Sequence, residues 1–239
     1  MEMDTEKLVD ISEKGAEREG VRQTLDRRLF MQLIVFGGCG DFSPQIKRLK
    51  ESGLQAVLYA DVNDPGGIAL LTMSEDPGFF TSTLREVLNK EEFSGLKQKH
   101  RYTMLGRTYA LGHEEDLADW LITRSPRVVT NKAWPWAVWY PLKRSGAFYK
   151  LPPREQGMIL REHGIIGRAF GKADLGHDIR LASFGLDKSD NDFVIGLIGK
   201  DLYPLSALVQ TMRKTVQTST YIEKMGPFFV GRAVWQSGA

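Results

Sequence analysis

Residues 134–171 read WPWAVWYPLKRSGAFYKLPPREQGMILREHGIIGRAFG. The first part, 134–142, is rich in aromatic and β-branched residues and is expected to be a strand. By the period of two, Trp134, Trp136, Val138 and Tyr140 share one face, and Pro135, Ala137 and Trp139 the other. After the Pro-Pro pair the spacing becomes helical. Ile159, His163 and Ile166 recur at i, i+4 and i+7, so 153–170 is expected to be a helix with Pro153 near its start. Further along, strands are expected at 177–186 and 193–198, joined by the polar turn 187–191. A helix at 204–214, with Leu205, Leu208, Val209 and Met212 on one side, and a strand at 227–235 complete the order β-α-β-β-α-β.

The preceding segment spells the same order. A strand at 30–36 runs into Gly37-Gly38-Cys39-Gly40, and Asp41 or Ser43 can cap a helix over 44–51. Strands follow at 54–62 and 68–73 around the turn Asn63-Asp64-Pro65-Gly66-Gly67. A helix over 76–89, with Phe80, Leu84 and Leu88 four apart, and a strand over 100–111 close the set. The expected class is therefore α+β: two ferredoxin-like βαββαβ units with antiparallel sheets packed together and helices outside. The divisions are a charged N-terminal arm (1–28, partly helical through Leu8, Ile11 and Ala16), a first unit (29–112), a connector (113–132) and a second unit (133–239). The connector reads as a short helix followed by a basic, Pro-containing loop. Sheet edges left over from such units suggest oligomerisation.

The 239 residues carry 32 Lys and Arg against 30 Asp and Glu, a net charge of +2, which gives no global pull toward nucleic acid or membrane. A single cysteine, Cys39, excludes an internal disulfide framework and any multi-cysteine metal site. The acidic, polar N-terminus does not read as a secretory leader, and no apolar run approaches a membrane span, so a cytoplasmic location is the default expectation. The glycine cluster at 37–40 lacks the spacing and lysine of a phosphate loop and reads as a strand–helix turn. No nucleophile–base pairing of the usual hydrolase kinds stands out.

The four histidines, His100, His113, His163 and His177, show no tight metal spacing. His163 differs in lying on the apolar side of its helix. On composition it reads as a packed core histidine. A helix-borne imidazole facing a dry, cation-rimmed space also has what an axial haem ligand requires. The aromatic strand ends in Lys143 and Arg144, with Lys150 beyond, a pattern suited to a flat apolar ligand bearing carboxylates. Tyr140 is the phenol at the rim, able to donate a hydrogen bond or lose a hydrogen atom.

The stretch YPLKRSGAFYKLPPREQGMILREHGIIGR (140–168), with SFGLDKSDNDFV (183–194) and YIEKMGPFFVGR (221–232), resembles the signature of the chlorite dismutase superfamily, which includes the coproheme decarboxylases. The motifs stand in the family's order. The resemblance implies haem b or iron coproporphyrin III as cofactor, hydrogen peroxide or chlorite as oxidant, and a homo-oligomeric ring, commonly a pentamer. It places His163 as the iron ligand, Tyr140 as the radical tyrosine beside a reacting propionate, and Arg144 near the propionates. Phe148 and Tyr149 match an aromatic pair near the porphyrin. Lys143 and Lys150 would help hold carboxylates, and Ile159 and Ile166 flank the ligand on its helix. Two positions depart from the family. Counting back from Ser183 puts Asp178, with His177 and Arg180 beside it, where the family has a distal Arg or Gln. An Asp there would repel chlorite, and His177 becomes a candidate proton shuttle. The acidic partner of the proximal imidazole falls in 214–218, where only Gln217 offers an uncharged acceptor. The leading expectation is a peroxide-dependent coproheme decarboxylase that turns propionates into vinyls. A chlorite dismutase or weak peroxidase, and a non-enzymatic haem-binding or haem-transfer protein, are the alternatives.

Overall fold

The structure, a computed structural model, describes residues 9–238. The chain begins with a hairpin of β1 (Glu13–Arg18) and β2 (Val21–Leu25). This corrects the expected helix through Ile11 and Ala16; Leu8, named with them, lies outside the described residues. Glu19 and Gly20 take positive φ (53° and 79°), forming a tight turn between the two strands. Tertiary contacts then fix the hairpin: Ala16 N–H donates to the Glu114 carbonyl, and Glu13 pairs with Arg107 at 2.9 Å.

The first βαββαβ set comprises β3 (Phe30–Gly37), α1 (Ser43–Ser52), β4 (Ala56–Asp61), β5 (Ile68–Ser74), α2 (Thr83–Leu88), a short β6 (Lys97–Gln98) and β7 (Met104–Arg107). The helix expected over 76–89 is broken. Pro77–Phe80 forms a 3₁₀ turn capped by Asp76, and the Thr81 and Ser82 hydroxyls both donate to the Gly78 carbonyl, which stops continuous α-helix. The strand expected over 100–111 shrinks to β7, because His100–Tyr102 is a 3₁₀ turn. The connector departs too. A π-helical turn at Asp119–Thr123 runs into α3 (Arg124–Val129), which carries Pro126, a residue without an N–H to donate to the preceding turn.

The second set comprises β8 (Trp136–Arg144), α4 (Pro153–Lys172), β9 (His177–Ala182), β10 (Phe193–Gly199), α5 (Leu202–Met212) and β12 (Phe229–Gln236). The sequence pattern does not show α6 (Val216–Tyr221) or β11 (Ile222–Met225), which intervene. The spatial orders are β7-β3-β5-β4 and β9-β10-β8-β12, the ferredoxin-like arrangement in both halves. The halves are also joined edge to edge. β12 and β4 share an antiparallel ladder from Gly231↔Asp61 to Gln236↔Val57, and β7 meets β9 through the single bridge Arg107↔Ala182. The edges of β4 and β12 therefore pair within the chain, while those of β7 and β9 meet at one point.

The two sheets thus face each other across one core. Leu33, Val35, Tyr59, Leu71, Trp139, Ile179, Leu181, Val194 and Phe229 fill it. Gly196 sits opposite Trp139, and a Cβ there would come within 2.5 Å of the indole ring. Alternation sends the other set of side chains outward to the helices: Ile34 and Phe36 under α1 and α2, and Val138, Tyr140 and Leu142 toward α4 and α5.

Candidate functional site

α4 lies over the outer face of the second sheet. Its apolar stripe joins the cluster there through Ile166 and Phe170, yet none of its side chains is fully buried. His163 is half-buried, with Ile159 one turn earlier. Its Nδ1 lies 3.2 Å from Thr215 Oγ1. The Thr215 hydroxyl has one proton and donates it to the Met212 carbonyl at 2.7 Å, so toward His163 it accepts. That assigns the imidazole proton to Nδ1 and leaves the Nε2 lone pair free. Burial, reinforced by the positive charges of Arg144 and Arg180, pushes the imidazole pKa down to about 4, so the ring is neutral at pH 7.

The sheet face beneath is an ordered array. Tyr140, Ile195 and Arg180 are in register across β8, β10 and β9, as are Val138, Leu197 and Asp178. Tyr140 is buried and stacks on Phe228, with centroids 4.5 Å apart. Burial raises its phenol well above the ordinary value, with Asp178 adding to the rise and Arg213 opposing it. Arg180 Nε lies 2.9 Å from Asp178 Oδ2, and Arg124 donates to both the Asp178 carbonyl (2.8 Å) and Oδ1 (3.3 Å). Burial alone would raise the Asp178 carboxyl, but the two guanidinium groups outweigh it and hold it below the usual range. Both guanidiniums lie over Trp120, at 4.6 and 5.0 Å from its ring, and the Trp120 indole donates to the Tyr109 carbonyl. The Arg144 guanidinium lies over the rings of both Phe148 (4.7 Å) and Phe193 (4.4 Å). Asp192 accepts from the Arg144 backbone N–H and from the Tyr149 hydroxyl.

His163, Tyr140, Arg144, Phe148, Ile166 and Asp178 are thus brought to one side of the second sheet, and others are not. His177 belongs to the opposite face of β9 with Ile179 and Leu181. It stacks on Trp134 at 3.7 Å and bonds Asp174, so it does not stand beside Asp178 as a proton shuttle. Lys143 faces away from Arg144 and pairs with Asp190. Lys150 is exposed, and Tyr149 is turned to Asp192. Gln217 is buried, but its Oε1 has no partner; Thr215, two residues earlier, makes the contact to His163. The sequence reading passed over Thr215, Arg124, Trp120, Phe193, Phe228 and Arg213. The strand period alone would have put Arg180 on the face of Asp178 and taken His177 off it.

Residues 79–234 match the family model described as chlorite dismutase. The chain belongs to the chlorite dismutase family. Solved structures with the same fold include a heme-binding protein from Thermus thermophilus, at 18% identity and TM-score 0.66, covering 88% of this chain and 92% of that one. Another is a chlorite dismutase from Candidatus Nitrospira defluvii in complex with imidazole, at 13% identity and TM-score 0.67, covering 87% and 92%.

The residues fit the haem that the family resemblance implies. Among the described residues no three His, Cys, Asp or Glu side chains cluster to hold a bare metal ion. A single neutral imidazole is instead what a porphyrin-held iron asks of its protein. Arg144 Nε is buried without a hydrogen-bond partner close to that imidazole. Such a donor suits a carboxylate on the rim of a flat apolar ligand.

Proposed function

We propose that this protein binds an iron porphyrin between α4 and the outer face of the second sheet and acts as a peroxide-dependent coproheme decarboxylase. The observation that carries the reading is the disposition of Tyr140: a buried phenol on the sheet face beside α4, in register with Arg180. When bound, the iron porphyrin supplies the oxidising chemistry that peroxide drives. Each propionate loses carbon dioxide, a proton and two electrons as it becomes a vinyl, and peroxide takes up those electrons with protons to form water. His163 offers Nε2 to the iron. Tyr140, kept protonated by burial, has a hydrogen atom to give and then to take from a propionate. Arg144, near His163, and Arg213, whose charge reaches Tyr140, supply positive charge for carboxylates. Asp178, held ionised, is the group able to accept a proton from peroxide, with Arg180 beside it to stabilise negative charge.

Soret titrations with haem and with iron coproporphyrin, in wild type and His163→Ala, test the ligand. Absence of a band, or identical binding by the variant, overturns the assignment. Tyr140→Phe should bind coproheme and form no vinyl; full conversion would sink the mechanism. Arg180 favours a second reading, chlorite dismutation. Its charge and that of Arg124 offset Asp178, which removes the repulsion expected from an aspartate alone. Oxygen release from chlorite by the haem-loaded protein separates the two readings. A non-enzymatic haem carrier would bind the cofactor and perform neither reaction.

A further inference from the structure

A cavity of about 390 Å³ opens at the end of the barrel where β7, β10 and β12 begin and β8 ends. His163 does not line it, although Met225 and Phe228 on its wall also pack against the Tyr140 face. Pro141 belongs to the inward-facing set of β8, and the cavity also takes in residues from the β9–β10 turn and the β11–β12 turn.

We propose that this mouth binds a small organic anion with an apolar body, of the aromatic carboxylate class. Charge is the first argument. Arg101 and Lys224 both line the cavity, and no carboxylate does. Among the described residues neither cation forms an ion pair, and the neighbouring Asp190, which also feels Lys224, is engaged by Lys143. The mouth therefore carries two positive charges without a lining counter-charge, which favours an anion.

Hydrogen bonding is the second argument. Thr103 Oγ1 accepts from the Gln98 amide, so its own proton is left to donate, and the Ser189 hydroxyl lies on the same wall. Asn191 is buried and lines the cavity. Its Nδ2 is committed to Asp187, while its Oδ1 has no donor. A carboxylic ligand that also bears a hydroxyl would meet both kinds of group. The third argument is the apolar remainder, Met225, Pro227 and Phe228, in a volume typical of small-ligand sites. Phe228 also stacks on Tyr140, so an occupant of the mouth lies one ring away from that phenol.

The test of this site is separable from porphyrin binding. Calorimetric titration of the full chain with benzoate and 4-hydroxybenzoate should show saturable binding, stronger for the hydroxylated probe. In the double variant Arg101→Glu/Lys224→Glu affinity should fall by about tenfold or more, as for loss of a charge-assisted contact. Circular dichroism and the thermal midpoint report that the variant is folded, and His163→Ala should bind the probe as wild type does. Three outcomes overturn the proposal: no heat with either probe, unchanged affinity in the double variant, or loss of probe binding in His163→Ala. So does a double variant that changes the molecular mass in solution while wild type takes no probe, since the mouth is then a face between copies of the chain.

Discussion

In the first half, Leu49 of α1, Leu84 of α2 and Phe93 are fully buried on the outer face of the sheet, and Phe36 meets Phe93 at 5.9 Å. In the second half, α4 has 20 residues against 10 in α1, and not one is fully buried. The strand order is the same in both. What differs is what the outward strand positions carry. The first sheet offers Ile34, Leu58 and Leu70, which interlock with apolar helix faces. The second is sealed by Leu205 and Leu208 of α5 only in part, and beyond them it offers Arg144, Asp178 and Arg180, which more leucines could not cover without stranding charge. One half is built as a foundation, the other as a face for chemistry.

The sharpest way to break this contrast is to damage the sealed half. Phe93→Ala should cost about 3–5 kcal/mol of unfolding free energy by denaturant titration and leave porphyrin affinity of the folded protein unchanged. A loss of affinity of the same size would show that the halves are not independent. Next comes pH. The His163 imidazole pKa lies near 4 when folded, against an ordinary value of 6.5. The folded state thus favours the neutral ring, so this contribution is present above pH 6.5 and is lost as pH falls toward 4. Its full size is about 3 kcal/mol. Replacing His163 by Phe should flatten the stability profile across that window, as read by chemical denaturation at successive pH values. Thr215→Val removes both the N-cap of α6 and the acceptor for His163 Nδ1–H. A loss of about 1 kcal/mol is expected, with a shifted iron–imidazole Raman band in the porphyrin-loaded protein. The smallest effect belongs to Lys143→Ala. Its partner Asp190 is exposed, so stability should change by less than about 0.5 kcal/mol and porphyrin affinity should not move.

The element order of both halves was legible because it rests on local periodicity, whereas the pairing of His163 with Tyr140 in one site came from the family resemblance. The aromatic strand alternates at two and α4 repeats at three and four, and neither needs a distant partner to be read. The hairpin Glu13–Leu25 was not legible, because its charged residues show no alternation and it is held by Glu114 and Arg107, far away in sequence. Thr215 was missed for a related reason. A hydroxyl that caps a six-residue helix announces nothing in sequence, whereas the search in 214–218 was for a charge. His177 was misplaced by counting residues toward Asp178 without asking which side of the strand each one occupies.

The barrel closes unequally. β4 and β12 are laced together along most of their length, while β7 and β9 touch by one backbone bridge, at a spot where a Cβ on Gly106 would come within 2.7 Å of Leu181. Beside it the Ser183 hydroxyl donates to the Leu105 carbonyl, and further along β9 the Asp178 carbonyl is held by Arg124 of α3 rather than by β7. The molecule is bound like a book, with a stitched spine on one side and clasps on the other. Amide exchange should therefore be faster at the β7–β9 join than at the β4–β12 join.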